Sequence, residues 1–177
     1  MMLAVCFVGS SRAGITTLIE NIIPEFKARQ YHVAVIKHAP HRFNLDRKGK
    51  DSWRFSQAGA DIVVLSSKDR IYLVQQVAEK TPLDQIISIF KEQVDLVLVE
   101  GYKCSSWPMV EVVRSSVNSR LIHRPEELLA IVSDCQFPID IPQFSFEEVK
   151  SIANFLIEQI DNGILNGRES RTAADKI

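Results

Sequence analysis

The chain has 177 residues, 46% of them hydrophobic and 24% charged, with a formal net charge of −1. That is enough apolar material for a continuous core without disulfides or a structural metal, and the near-neutral balance gives no global pull toward nucleic acid or an anionic membrane. Three widely spaced cysteines, Cys6, Cys104 and Cys135, suit reduced thiols in a cytoplasmic protein better than a disulfide framework.

Leu3 to Val8 is an unbroken apolar run closed by Gly9, which reads as a strand buried on both faces and is too short to cross a membrane. From Ile15 to about Arg29, Leu18, Ile22, Ile23 and Phe26 make a helical stripe, with Pro24 as a point of kinking or division. His32 to Ile36 reads as a second strand of the buried type, so residues 3 to 36 form a β-loop-α-β unit, the right-handed parallel crossover. Lys37 to Ser52 is polar and rich in cations, histidines and carboxylates. A short helix is expected over Asp51 to Ala58, then two strands, Asp61 to Leu65 and Arg70 to Val74, joined as a hairpin. Thr81 caps a helix with Pro82 at its first position, running to about Gln93. Asp95 to Val99 is the strongest buried strand and ends in Glu100-Gly101. Met109 to Arg114 alternates as an edge strand does, Leu128 to Val132 is another apolar run ended by Ser133-Asp134, and Phe146 to Ile160 is an amphipathic closing helix with Ser145 as its cap. The expected class is α/β: a P-loop NTPase-like three-layer sandwich, with a mostly parallel sheet flanked by helices and an added β-hairpin region. Residues 1 to 161 are expected to form a single nucleotide-binding domain and residues 162 to 177 a flexible tail.

The chemistry concentrates at Gly9-Ser10-Ser11-Arg12-Ala13-Gly14-Ile15-Thr16-Thr17. The phosphate-loop pattern G-x-x-x-x-G-K-[ST] is met at Gly9, Gly14 and Thr16, but Ile15 stands where the lysine belongs. Glycines let consecutive N–H groups curl around phosphate oxygens, the following helix adds its positive end, and Thr16 offers a hydroxyl to Mg²⁺. Asp46 and Glu100 are the candidate carboxylates for Mg²⁺ or its water shell, and Glu100, at a strand's carboxyl end, is also placed to orient an attacking water. Lys37 is assigned to nucleotide binding; Lys48, Lys50 and Arg54 are further phosphate-neutralising candidates. Asp134 suits a guanine-reading carboxylate, although a Ser-Asp pair is equally an ordinary turn. His38 and His41, with Pro40 between them, lack a fourth ligand for structural zinc. Trp53 and Trp107 are stacking or interface candidates that also serve as packing residues.

The glycine loop, Lys37-His38 through Asp46, Gly49-Lys50-Asp51-Ser52 with Arg54, Ala58-Gly59-Ala60 and Glu100-Gly101-Tyr102-Lys103 together resemble the molybdopterin-guanine dinucleotide biosynthesis adapter protein B (MobB) family, over residues 1 to 135. The resemblance implies a homodimer that binds GTP with Mg²⁺ and assists the GMP-attaching enzyme, molybdopterin guanylyltransferase, with molybdopterin as a further ligand and weak GTPase activity at most. In the family it resembles, lysine typically stands where this chain has Ile15. Losing one charge-assisted bond to phosphate costs about 1.5–3 kcal/mol, roughly ten- to a hundredfold in dissociation constant. Arg12, inside the loop, is the expected partial substitute, and hydrolysis is expected to suffer more than binding. Two other classes fit the same residues: a P-loop NTPase or small-molecule kinase using another cation, and a nucleotide-free interaction module.

Overall fold

A computed structural model describes residues 3 to 39, 46 to 90, 92 to 102 and 106 to 164. The chain divides into two compact units, one made of Met1–His38 and Ile87–Ile177, the other of Ala39–Ile86.

In the first unit, strand β1 (Leu3–Gly9) is followed by the glycine loop, helix α1 (Ile15–Ala28) and strand β2 (Val33–Lys37). In the second come α2 (Asp51–Gln57) and strands β3 (Ile62–Ser66) and β4 (Ile71–Gln75). Helix α3 (Leu83–Ser88) leads back to β5 (Leu96–Glu100), β6 (Met109–Val113), β7 (Leu128–Ser133), β8 (Gln143–Phe144) and α4 (Val149–Asp161). The six strands of the first unit form one sheet in the order β2-β5-β1-β6-β7-β8, and every neighbouring pair runs parallel. That is the expected class. An all-parallel sheet needs cover on both faces, which is why β1, β5 and β7 read as apolar runs without a polar side.

Side chains alternate between the two faces. Val5 and Phe7 of β1, Leu96 and Leu98 of β5, Val110 and Val112 of β6, and Ala130 and Val132 of β7 pack with Leu18, Ile22 and Phe26 of α1 and Ile152, Ala153 and Leu156 of α4 in one buried cluster. Continuing each row by two residues reaches Gly9, Glu100, Arg114 and Asp134, so the carboxyl ends of four strands deliver these residues to the side of the sheet on which α1 lies. Ligands of open α/β sheets bind at that end.

Several elements differ from expectation. Helix α1 runs unbroken through Pro24. Strand β2 is the sheet's edge, and its Val35 is 46% exposed rather than buried. Strand β6, expected at an edge, lies between β1 and β7 with all five residues buried; Glu111 imitates the polar member of an alternating strand but is itself inside. Helix α3 is six residues long, since Gln93 N–H already closes a separate turn on the Phe90 carbonyl. Helix α4 begins at Val149; Ser145 precedes it, with its N–H bonded to the Glu148 carboxylate at 2.7 Å.

In the second unit, β3 and β4 form the expected antiparallel hairpin. Val64 opposite Leu73, with Ile62 and Ile71 on the same face, presents four apolar side chains that are 51–76% exposed. A two-stranded ribbon with an uncovered apolar face is marginal by itself in water. Among the described residues no helix is long and apolar enough to cross a membrane.

Candidate functional site

Gly9 leaves β1 at φ 155, and the loop turns again at Arg12 (φ 69) and Gly14 (φ 96). Positive φ at Arg12 is uncommon for a residue with a β-carbon, and this curled backbone is the kind that forms anion-binding nests. The Ala13 N–H closes a turn on the Ser10 carbonyl at 3.1 Å, and α1 begins with the Leu18 N–H on the Gly14 carbonyl at 2.9 Å. Ala13 is buried beneath the loop, while Ser11, Arg12, Thr16 and Thr17 are exposed. Ile15 turns inward, partly buried against the core cluster.

Thr16, Glu100 and Lys37 meet at the start of α1. The Thr16 hydroxyl donates to Glu100 Oε1 at 2.8 Å. The Lys37 ammonium donates to Thr16 Oγ1 at 3.0 Å and pairs with Glu100 Oε1 at 2.9 Å. Register explains the meeting: Phe7, Glu100 and Lys37 align across β1, β5 and β2, so all three side chains leave the same face of the sheet. Behind them, His38 N–H bonds the Glu100 carbonyl and Gly101 N–H bonds the Phe7 carbonyl, while the His38 and Tyr102 rings pack with centroids 4.7 Å apart. Burial raises the pKa of Tyr102 above that of a free phenol.

The Thr16–Glu100 pair is chemically suited to Mg²⁺. It is an all-oxygen donor set with one carboxylate, and Mg²⁺ binds through one or two such groups while keeping waters and substrate phosphate in its remaining positions. Among the described residues there is no cluster of three or more His, Cys, Asp or Glu residues. Asp46, the other expected carboxylate, belongs to the second unit, where it accepts from the Ser52 hydroxyl at 2.8 Å and the Arg47 N–H at 2.9 Å. Lys48, Lys50 and Arg54 are exposed there, Arg54 beside Asp51 at 3.5 Å. His41 lies outside the described residues.

Asp134 is exposed at the end of β7 and accepts from the Ser115 N–H at 2.7 Å and the Ser115 hydroxyl at 3.1 Å. The Ser115 backbone bond holds its pKa below the ordinary aspartate value. Sequence reasoning passed over its neighbour Arg114. That guanidinium stacks 3.7 Å above the centre of the Phe146 ring, and a β-carbon on Gly14 would stand 3.3 Å from its Nη2, so it lies against the helix start of the glycine loop. Sequence carried a signal for it, since Arg114 stands two residues beyond the core-facing Val112, as Glu100 does beyond Leu98. Asn118 also reaches the loop, its amide 3.4 Å from the Ser10 hydroxyl.

A cavity of about 760 Å³ is lined by Leu3, Tyr31, His32 and Asp95 among others. It sits at the amino ends of β1, β2 and β5, away from the loop and the ligand-binding end of such sheets.

A parallel sheet whose central strand feeds a glycine loop and a helix, with a threonine at the helix start and an acid on the adjacent strand, defines a protein of the P-loop NTPase type. Residues 4–134 match the family model for molybdopterin guanine dinucleotide synthesis protein B. The chain belongs to this MobB family. The molybdopterin-guanine dinucleotide biosynthesis adapter protein of Haemophilus influenzae is 35% identical over 149 residues, covering 84% of each chain. Its counterpart in Escherichia coli is 31% identical over 174 residues, covering 92% of this chain and 97% of the relative. A crystal structure of molybdopterin-guanine biosynthesis protein B is similar with a TM-score of 0.69 at 29% identity, over 88% of this chain and 99% of the other. A MobB homolog from Bacillus stearothermophilus shares the fold at 21% identity, with a TM-score of 0.65 over 90% of this chain and 98% of the other.

Proposed function

We propose that this chain is a cytoplasmic guanine-nucleotide-binding adapter in the biosynthesis of molybdopterin guanine dinucleotide. On this reading it binds GTP with Mg²⁺, serves molybdopterin guanylyltransferase as partner, with molybdopterin as a further ligand, and hydrolyses GTP slowly or not at all. The observation that carries the nucleotide half is the 2.8 Å Thr16–Glu100 pair at the head of α1, within a glycine loop. The family carries the pathway half. In the proposed complex the loop N–H groups and the helix start bind phosphate oxygens, and Thr16 and Glu100 hold the metal directly or through water. Mg²⁺ would supply charge neutralisation across the β- and γ-phosphates. Asp134 is the candidate reader of the guanine edge.

Calorimetric titration with GTP, ATP and non-hydrolysable analogues in the presence of Mg²⁺ should give saturable binding that favours guanine. Single-turnover hydrolysis should be slow beside it, because no lysine is fixed in the first turn of α1 and turnover demands more exact charge placement than binding does. Absence of binding at millimolar nucleotide would leave only an interaction module. Brisk turnover would instead indicate an NTPase or kinase.

We further propose a homodimer formed through the β3–β4 hairpin. The support is its apolar face of Ile62, Val64, Ile71 and Leu73, which a second copy would cover isologously. Strand β6 lies between β1 and β7 inside the sheet and takes no part. Sedimentation velocity should give the mass of two chains for the natural protein and of one for Val64→Lys/Leu73→Glu. A monomeric natural protein at micromolar concentration would end this proposal.

A further inference from the structure

We infer that Lys37, reaching in from the edge strand β2, is the phosphate-site cation that position 15 lacks. The inference rests on the guanine-nucleotide reading above and adds to it the source of the missing charge. In the usual loop the lysine rises from the first turn of the helix. Here that position is aliphatic and committed to packing: Ile15 is partly buried against the core, and its Cδ1 lies 3.5 Å from where a β-carbon on Gly9 would stand. An ammonium is nevertheless present at the helix start. Lys37 comes from two strands away, placed by its register with Glu100, and stands 3.0 Å from Thr16 Oγ1 and 2.9 Å from Glu100 Oε1.

Those two oxygens are also the pair suited to Mg²⁺, so Lys37 holds the place of a cation between them. Its side chain is 57% exposed, against 15% for Glu100. An ion pair with so exposed a partner contributes little to stability, so releasing it costs little. The four-carbon stem of lysine lets the head group swing without moving β2. When Thr16 and Glu100 turn to a hydrated metal, the Lys37 ammonium exchanges their oxygens for those of the terminal phosphates. Lysine serves here as a movable point charge; arginine, with its rigid fork, is not equivalent.

Four proteins test this, each titrated with GTP and Mg²⁺ by calorimetry: the natural chain, Lys37→Met, Ile15→Lys and the double variant Ile15→Lys/Lys37→Met. Lys37→Met should weaken binding roughly ten- to a hundredfold, with no change in thermal midpoint because the residue is exposed. Ile15→Lys should recover most of that loss in the double variant and add far less to the natural chain, since one cation suffices. A merely structural role for Lys37 would not be rescued from position 15. Natural-like affinity in Lys37→Met, or equal gains from Ile15→Lys in both backgrounds, would overturn the inference while leaving the nucleotide reading intact. Absence of binding by all four proteins would overturn that reading and the inference with it.

Discussion

Glu111→Gln should lower the midpoint of thermal unfolding by about 2–12 °C, corresponding to roughly 1–3 kcal/mol. Glu111 is fully buried in the middle of β6. Its two carboxylate oxygens accept the Ile122 N–H at 2.6 Å, the His123 N–H at 3.0 Å and a 3.0 Å contact with His123 Nδ1, fixing the chain's return from β6 toward β7. Glutamine keeps the shape but replaces one acceptor oxygen with an NH₂ that faces those donors, leaving a buried N–H without a partner. The consequence extends to the glycine loop, because the segment so anchored carries Asn118, which contacts Ser10. Scanning calorimetry of natural and variant protein decides it; a loss below about 1 kcal/mol would mean that the carboxylate does not hold this segment.

Glu111 also marks where reading the sequence stops. A glutamate between two valines looks the same whether it faces water or grips a returning loop 11 residues later, because hydropathy records the residue type and not the donors that fold back onto it. The wrong placement of β6 at an edge followed from that ambiguity. Strand β2 shows the converse: its apolar run resembles a buried strand, yet an edge position leaves Val35 46% exposed. By contrast β1, α1 and β5 were legible, since an apolar run, a glycine and a helical stripe are local signals that tertiary context seldom reverses.

The site divides along the same line. Thr16 and Glu100 were readable as partners because the phosphate-loop pattern specifies both a hydroxyl at the helix start and an acid ending a neighbouring strand. Lys37 was readable as a nucleotide-binding candidate, but its place beside this pair was not. Proximity in sequence favoured Arg12 as the substitute for the missing lysine, whereas strand register brings Lys37 to Thr16 and Glu100. A parallel sheet places residues side by side that are 63 positions apart in the chain, as Lys37 and Glu100 are, and no local pattern encodes that adjacency.

Gly9→Ala is expected to cost more than about 3 kcal/mol and to abolish nucleotide binding together with the native fold of the loop. Gly9 has φ 155, where L-residues are strained, and it lies in register with Val112 on β6. A β-carbon there would overlap the Val112 carbonyl oxygen, with the carbonyl carbon only 3.3 Å away. Backbone cannot step aside as a flexible side chain can, so the end of β1 would have to separate from β6. Gly59→Ala supplies the control. Gly59 also has a positive φ, at 103, but nothing lies within 4 Å of its would-be β-carbon, so only conformational strain is added, about 1–2 kcal/mol. If urea unfolding gave equal losses for the two variants, the effect at Gly9 would be strain alone. A clear excess at Gly9 would establish that the loop is a glycine loop first because β1 and β6 approach too closely for any side chain. The curled geometry of the loop would then be imposed by sheet packing, whatever residue stands at position 15.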